Sequence, residues 1–313
     1  MQKKQGVLMV NLGTPASTQT KDVRSYLAKF LSDQRVIKNP KIFWLPILHG
    51  MILRTRPKKS AELYKSVWSE NGSPLLHYAL KQQENLQTLM PDVQVEIAMS
   101  YSEPSIPQAL DKLLSQSITK ITVIPMYPQY SGTTVGSVFD EVMKYFAKSD
   151  KIVDLHFIHS YCEDPDYISY QVKKIRQALE KEDYDALLFS YHGIPLSYAE
   201  AGDKYPEECR KTTELIMQQL GEIPYYHTYQ SKFGPSEWLK PATDETLKSL
   251  PSKNIKKIMV ISPSFVADCL ETLHELEIEN KEYFMENGGT KFTYLSPYND
   301  DIEFAELMKK LVN

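Results

Sequence analysis

Three acidic side chains recur at four-residue intervals near the end of this chain. They are Glu271, Glu275 and Glu279. A helix that begins after the apolar run 258–261 would align them along one face, where like charges repel by a few tenths of a kcal/mol per pair. The row therefore indicates one of two things. It is a path for a metal cation or for protons, or it is an ordinary solvated face opposite a leucine-rich side.

A histidine lies at another predicted strand end. His192 follows the strand-like segment 186–189 and precedes Gly193, so it occupies a loop at the mouth of the predicted sheet. Taken alone, such a histidine is commonly structural. The acidic row begins after a strand of the same half of the chain, however, and a neutral imidazole facing carboxylates suits a divalent first-row metal such as Fe²⁺. The same groups can also accept protons from a substrate.

Short β-rich segments alternate with longer helical patterns along the chain, which is typical of a parallel α/β sheet. Strands are predicted near residues 6–11, 93–99, 120–125, 152–158, 185–191, 225–230, 256–262 and 291–296. Two groups of four strands predict two α/β domains, residues 1–148 and 149–299, each with a four-stranded parallel sheet flanked by helices. We expect the closing helix, about residues 300–313, to pack back on the first domain.

The strand ends of the two predicted domains weakly resemble one another. Residues 10–15 correspond to residues 190–195, and residues 123–128 correspond to residues 260–265. Ligands of open α/β sheets bind beyond the carboxyl ends of the strands. These segments therefore predict a ligand cleft between the domains.

The composition excludes several classes of protein. Of 313 residues, 42% are hydrophobic and 24% are charged, as in an ordinary globular protein. The net charge of −4 disfavours nucleic acid as a partner, because that partner requires a clustered basic surface. The three cysteines have no C-x-x-C spacing, which fits a reducing, cytoplasmic location and provides no zinc site. No G-x-G-x-x-G or G-x-x-x-x-G-K-[ST] motif supports a nucleotide cofactor.

One region, which we call the 42–59 segment, joins an apolar stretch to a basic one. Its apolar part, residues 42–53, contains Pro46 and Gly50 and is shorter than the ~20 apolar residues that span a membrane. The pattern indicates an amphipathic surface element that contacts a membrane, an upstream enzyme or an apolar ligand. A buried helix is the alternative.

Taken in order, the motifs resemble those of the ferrochelatase family, most closely the forms found in Gram-negative bacteria. The shared segments cover nearly the whole chain and lie at residues 11–15, 127–131, 190–195, 202–206, 230–234 with Trp238, and 265–273. The resemblance implies two Rossmann-like domains with a porphyrin cleft between them and no bound nucleotide. It also implies a lyase that inserts Fe²⁺ into protoporphyrin IX in the last step of haem synthesis.

The resemblance also implies roles for individual residues. His192 corresponds to the active-site histidine and Glu271 to the carboxylate on the metal or proton side, so both are candidate metal ligands. Glu275 and Glu279 correspond to an acidic path that leads away from them. The candidate porphyrin-binding residues are Leu12, Tyr101, Tyr130, Ser131 and Trp238, with Arg56 and Lys59 near the propionates.

Three features differ from some members of the family. Cys269 lies where many animal forms carry a second histidine, so no role of that histidine applies here. The sequence has no cysteine-bearing extension after Asn313, so we expect no iron–sulfur cluster and no other tightly bound cofactor, with Fe²⁺ as a substrate. Leu12 replaces a tyrosine of the forms that use coproporphyrin III, which favours protoporphyrin IX.

Two other functions are compatible with parts of this pattern. A chelatase acting on coproporphyrin III, or one inserting cobalt into a sirohydrochlorin-type ring, would need similar groups. Cobalt chelatases of this fold typically use a pair of histidines, whereas Pro263, Ser264 and Phe265 follow the strand that would carry the second one. A non-catalytic haem carrier has no use for a row of carboxylates.

Overall fold

Two parallel β-sheets organise the computed structural model, which describes residues 4–313. These residues form eight strands, β1 (Gln5–Asn11), β2 (Gln94–Met99), β3 (Lys120–Pro125), β4 (Asp154–Phe157), β5 (Ala186–His192), β6 (Tyr225–Gln230), β7 (Lys257–Ile261) and β8 (Lys291–Leu295). Every predicted strand is present, and the observed ends differ from the predicted ones by at most two residues.

Helices connect these strands. The α-helices of the described residues are α1 (Thr20–Ser32), α2 (Lys41–Ile47), α3 (Leu53–Val67), α4 (Pro74–Leu89), α5 (Ile106–Ser115), α6 (Val135–Phe146), α7 (Pro165–Leu179), α8 (Leu196–Glu200), α9 (Tyr205–Leu220), α10 (Thr243–Ser249), α11 (Lys281–Glu286) and α12 (Ile302–Val312). Two π-helices, Leu48–Ile52 and Glu271–Asn280, and a 3₁₀ turn, Pro251–Lys253, complete the set.

The two sheets have the same strand order. The first runs β2-β1-β3-β4 and the second runs β6-β5-β7-β8, and all neighbouring strands are parallel. From β1 the chain connects outward to β2 on one side, and from β3 it connects outward to β4 on the other; β5 and β7 are related in the same way. The positions between β1 and β3 and between β5 and β7 are therefore the switch points at which α/β sheets bind ligands. The predicted fold class, two Rossmann-like domains with four-stranded parallel sheets, is confirmed.

Two compact units contain these sheets, and the chain passes between them more than once. The first comprises the described residues up to Tyr127, Ser131–His159 and Tyr298–Asn313, and the second comprises Pro128–Tyr130 and Ser160–Pro297. The division after His159 differs from the predicted boundary at residue 148, because β4 pairs with β3 and so belongs to the first sheet. α12 packs against α4 within the first unit.

The central strands are apolar because both of their faces are covered. In β1, residues Val7, Leu8, Met9 and Val10 are fully buried, and in β5 so are residues 186–189. Strands covered by helices on both faces read as continuous hydrophobic runs rather than as alternating patterns. This pattern is why the strands were recognisable in the sequence.

The 42–59 segment is an exposed surface element and not a buried helix. Its α2 and first π-helix leave Ile42, Phe43, Ile47 and Met51 between 44% and 76% exposed. Leu48 and Leu53 face inward and are buried in the first unit. Among residues 4–313, no helix is long and apolar enough to span a bilayer.

A partly buried histidine links β6 to α9 in the second unit. The imidazole of His227 lies 2.9 Å from the Thr213 hydroxyl through Nδ1 and 3.0 Å from the Tyr229 hydroxyl through Nε2. Its ring stacks on Tyr191 at 4.9 Å between centroids. Burial, together with the positive charge of Arg210, lowers the pKa of His227 from 6.5 to about 4. The folded protein therefore holds this side chain neutral.

Acidification is expected to destabilise the protein through His227. The unfolded chain binds a proton near the ordinary pKa of 6.5 and the folded protein only near 4. The stabilisation is therefore complete above the unfolded value and is lost as the pH falls towards the folded one. Between about pH 8 and about pH 5 this group alone should remove roughly 2 kcal/mol from the free energy of unfolding. Urea titrations of the wild type and His227→Gln, which is neutral throughout, measure the difference. Parallel loss of stability in both proteins would contradict the assignment.

Candidate active site

The predicted acidic helix is present, but it is a π-helix. Residues Glu271–Asn280 form hydrogen bonds of the i→i+5 type over the whole segment. Side chains five residues apart therefore approach one another, as His274 Nε2 and Glu279 Oε1 do at 3.4 Å. π-Helices are uncommon beyond a single turn and occur frequently at functional sites. The sequence pattern predicted the helix but not its type.

Buried polar groups anchor the start of this π-helix after β7. The Asp268 carboxylate accepts hydrogen bonds from the Thr272 hydroxyl at 2.8 Å and from the Tyr294 hydroxyl at 3.1 Å. The backbone N–H of Cys269 donates to the Thr272 hydroxyl at 3.0 Å. These bonds fix the helix start beside the carboxyl end of β7, and hence the position of Glu271.

His192 is the last residue of β5, at the switch point of the second sheet. Its ring is half-buried, and Nδ1 lies 2.7 Å from the carbonyl oxygen of Gly193. A methyl group at Gly193 would approach the Gln230 carbonyl oxygen to 2.9 Å and the Trp238 ring to 3.1 Å. Glycine at this position therefore lets the Trp238 ring pack directly against the backbone next to His192.

The Glu275 carboxylate is held by three hydrogen bonds within the second unit. It accepts hydrogen bonds from the Ser231 backbone N–H at 2.6 Å, from the Ser231 hydroxyl at 2.5 Å and from the Gln230 side-chain amide at 3.2 Å. Burial raises the pKa of this carboxyl above its usual 4.5, although the hydrogen bonds and the charge of His192 oppose the shift. The negative charge of Glu271 raises the pKa further.

The three predicted acidic residues are therefore not equivalent. Within the second unit, Glu275 interacts electrostatically with both His192 and Glu271. Glu279 pairs instead with His274. Among the residues that the structure describes, no group of three or more His, Cys, Asp and Glu side chains is arranged to hold a metal ion. Each imidazole or carboxylate can still accept a proton or act as a single ligand of a divalent cation.

The first unit contains two of the predicted porphyrin-binding residues at its own strand ends. Leu12 follows β1, and its carbonyl oxygen accepts a hydrogen bond from the backbone N–H of Tyr101 at 3.0 Å. Tyr101 is buried and its hydroxyl donates to the Asp33 carboxylate at 2.7 Å. Burial and the negative charge of Asp33 raise the pKa of this hydroxyl well above 10. Tyr101 is therefore a neutral, fixed part of the wall around Leu12.

The remaining predicted residues lie on a helix and in a loop. Arg56 and Lys59 are three positions apart on α3 and so share a face, Arg56 half-buried and Lys59 exposed. Tyr130 belongs to the second unit and its backbone N–H donates to the Glu208 carboxylate at 2.7 Å. Ser131 belongs to the first unit and its hydroxyl lies 2.9 Å from that of Thr133.

Comparison with known proteins identifies the family. The ferrochelatase family matches residues 4–313. This chain is 62% identical over 311 residues to the coproporphyrin III ferrochelatase of Enterococcus faecalis, with 99% of each chain covered. It is 48% identical to the coproporphyrin III ferrochelatase of Lactococcus lactis, with 100% of this chain and 99% of the relative covered. It is 46% identical to the ferrochelatase of Yersinia pestis, with 100% and 98% covered. The chain belongs to the ferrochelatase family.

Solved structures with the same fold are distant in sequence from this family member. SirB from Bacillus subtilis, solved with Fe³⁺, superposes with a TM-score of 0.58 at 12% identity, covering 99% of this chain and 96% of SirB. CbiX superposes with a TM-score of 0.51 at 12% identity, covering 97% and 98%. The likeness confirms the chelatase-type fold. The family match, and not this likeness, confirms the prediction of a lyase of the metal-chelatase class.

Two residues at the site of this ferrochelatase-family chain were not predicted from the sequence. Gln230 ends β6, Ser231 follows it, and together they supply every hydrogen bond described above for the Glu275 carboxylate. The strand-end rule that selected His192 also applies to them, since they lie at the end of the predicted strand 225–230. What the sequence lacked was any indication that their partner is a carboxylate 44 residues further along the chain.

The cysteines do not contribute reactive groups. Cys162, Cys209 and Cys269 are buried free thiols. Burial raises the pKa of Cys162 to about 12 and raises the pKa of the other two well above 9. Cys269 lies beside Glu271, whose negative charge adds to this effect. A thiol with such a pKa is a poor nucleophile and a poor metal ligand at neutral pH.

Proposed function

We propose that this chain is a ferrochelatase that inserts Fe²⁺ into protoporphyrin IX, with iron as a substrate and no tightly bound cofactor. The observation that carries the proposal is the position of His192 at the switch point of the second sheet, beside Gln230, whose amide binds the Glu271 carbonyl oxygen and the Glu275 carboxylate. Imidazole and carboxylate groups are suited to accept two departing protons and to serve as ligands of an arriving first-row cation. Membership of the ferrochelatase family supports the same conclusion.

The reaction exchanges two pyrrole protons for one metal ion, so the charge of the ring system is conserved. Protonated pyrrole nitrogens cannot bind the cation, so a base must accept each proton as it leaves. His192 and the neighbouring carboxylates provide such acceptors and also ligands that replace water around the arriving Fe²⁺. In this proposal His192 faces the macrocycle, Glu271 acts beside it, and Glu275 and Glu279 lead away from it.

Removal of the His192 imidazole or of the Glu271 carboxylate should greatly lower turnover without unfolding the protein. His192→Ala and Glu271→Gln are each expected to lower kcat/KM for Fe²⁺ insertion by at least ~10²-fold, because each removes a proton acceptor or metal ligand. The measurement is an anaerobic assay that follows the porphyrin absorbance change on addition of Fe²⁺. His156→Ala is the matched control, since His156 is exposed on β4 of the first unit. Near-normal turnover by His192→Ala would refute the proposed site.

The identity of the porphyrin rests on Leu12 and its surroundings. Protoporphyrin IX carries vinyl groups where coproporphyrin III carries propionates, and carboxylates are costly to place against apolar surface. Leu12 packs against the apolar cluster of the first unit that includes Tyr101 and Leu48. These surroundings support protoporphyrin IX. Coproporphyrin III is the second candidate, because the relatives at 62% and 48% identity bear that name.

Competition between the two porphyrins distinguishes these candidates. We expect a higher kcat/KM for protoporphyrin IX than for coproporphyrin III. Leu12→Tyr is expected to lower the ratio of the first value to the second, because the tyrosine hydroxyl can donate a hydrogen bond to a propionate of coproporphyrin III. Leu12→Phe is the matched control, because it adds the ring without the hydroxyl. A higher kcat/KM for coproporphyrin III in the wild type would assign that substrate and leave the ferrochelatase activity intact. Sirohydrochlorin with Co²⁺ serves as the third substrate in the same assay.

The 42–59 segment supports a transient contact with an anionic membrane surface, with the protein located in the cytoplasm. Exposed Phe43 and Met51 provide the apolar contact, and Lys41, Arg54 and Lys58 lie exposed beside them. Apolar burial combined with basic side chains is how amphipathic helices bind anionic lipid interfaces.

Vesicle sedimentation tests this contact. The wild type is expected to bind vesicles of phosphatidylglycerol and phosphatidylcholine more strongly than pure phosphatidylcholine, and the binding should weaken as salt is added. Phe43→Ser should reduce binding severalfold. Phe139→Ser is the matched control, since Phe139 is an exposed aromatic residue on α6, outside this segment. Equal binding by wild type and Phe43→Ser would contradict the membrane contact and favour a protein partner.

A further inference from the structure

The side-chain amide of Gln230 bridges three structural elements. Its Nε2 donates to the backbone carbonyl oxygen of Glu271 at 2.9 Å and to the Glu275 carboxylate at 3.2 Å. Its Oε1 accepts a hydrogen bond from the Ser190 hydroxyl at 2.8 Å. Gln230 is 4% exposed, so its amide is shielded from solvent, although its partners Glu271 and Glu275 are half-buried. One side chain thus connects β5, β6 and the π-helix.

The orientation of this amide is determined by its neighbours. A carbonyl oxygen and a carboxylate on one side both require donors, so the NH₂ group must face the π-helix. The Ser190 hydroxyl on the other side is itself fixed, since it lies 2.8 Å from the buried hydroxyl of Thr243. The bridge is therefore a rigid reference that extends from the sheet to Glu271 and Glu275.

Ser231 completes the hold on Glu275. Its backbone N–H donates to one carboxylate oxygen and its hydroxyl to the other. The backbone of Ser231 has φ = 66°, a left-handed conformation that non-glycine residues adopt rarely and that clusters at functional sites. In this conformation the N–H and the hydroxyl of one residue reach the same carboxylate.

We propose that Gln230 and Ser231 are positioning residues that set the location of the Glu275 carboxylate, and of the π-helix that carries it, relative to His192. This inference rests on the proposed function, because it assigns these residues to metal insertion. They act through Glu275 and Glu271 and need not touch the metal or the porphyrin. Partners that orient ligands of a metal site typically contribute ~10–100-fold to metal affinity or activity.

The first test removes the bridge and keeps its volume. Gln230→Met is expected to lower kcat/KM for Fe²⁺ by ~10–100-fold, with KM for Fe²⁺ raised and kcat lowered. The affinity for porphyrin should change by less than about threefold. Hydrogen–deuterium exchange of residues 271–280 should increase, because the Glu271 carbonyl and the Glu275 carboxylate lose a donor. Unchanged exchange and unchanged kinetics would overturn the proposal.

A matched control separates this effect from the loss of any buried amide. Gln82 is 1% exposed on α4, and its Nε2 donates to the backbone carbonyl oxygen of Asn299 at 2.8 Å, within the first unit. Gln82→Met is expected to leave KM for Fe²⁺ and the exchange of residues 271–280 unchanged. An equal effect of both variants would show a general loss of stability and would refute a positioning role.

The second test separates the Ser231 hydroxyl from the Ser231 backbone. Ser231→Ala and Ser231→Gly both remove the hydroxyl, but only glycine adopts a positive φ without strain. We expect both variants to lower kcat/KM for Fe²⁺ by ~10-fold or more. Wild-type kinetics in Ser231→Gly would show that the hydroxyl does not position Glu275.

A double-mutant cycle tests whether these residues act through Glu275. Glu275→Asp withdraws the carboxylate by one methylene, so Ser231→Ala should have little further effect on kcat/KM in that background. Multiplicative effects of the two substitutions would overturn the proposal. The failure of the proposed function would be recognised separately, since wild-type protein would then show no Fe²⁺ insertion while the exchange measurements still report on the bridge.

Discussion

A buried carboxylate must have hydrogen-bond donors, and in this protein that requirement fixes the geometry of the site. Glu275 lies on a π-helix that follows β7, and its donors come from the last residue of β6 and the residue after it. An unpaired charge in such surroundings costs several kcal/mol, so the helix and the strand ends cannot move apart independently. His192, at the end of the intervening β5, lies beside this cluster because it pairs with Gln230 in the sheet. The position of the Glu275 carboxylate therefore depends on a contact between segments that are distant in the sequence.

The common strand order of the two units explains why candidate site residues occur at corresponding places in each. β1 and β5 are central in their sheets; in the first unit Leu12 follows β1, and in the second His192 is the last residue of β5. Central parallel strands are buried on both faces, so only the loops at their ends are free to vary. The two units carry different side chains at those strand ends. The second unit presents ionisable groups there, and the first presents an apolar wall containing a neutral tyrosine.

The fold was predictable because its signals are local. Runs such as 186–189 are apolar over the length of a strand and are separated by helical patterns, and the predicted strands differ from the observed ones by at most two residues. The division of the chain was less predictable. β4 is a short edge strand with exposed residues, and its membership of the first sheet follows from its pairing with β3, which is a long-range contact.

By itself, the sequence determined which residues are candidates for chemistry, since the strand-end position of His192 and the spacing of Glu271, Glu275 and Glu279 are local properties. Only the tertiary structure decided how these residues differ. The three carboxylates look equivalent in a four-residue repeat, yet Glu275 is held by Gln230 and Ser231 while Glu279 pairs with His274. The tertiary structure also decided that residues Glu271–Asn280 form a π-helix. Intrinsic helix propensities do not specify i→i+5 hydrogen bonds, whereas side-chain donors to the Glu271 and Glu275 carbonyl oxygens, from Gln230 and Asn280, stabilise the wider helix.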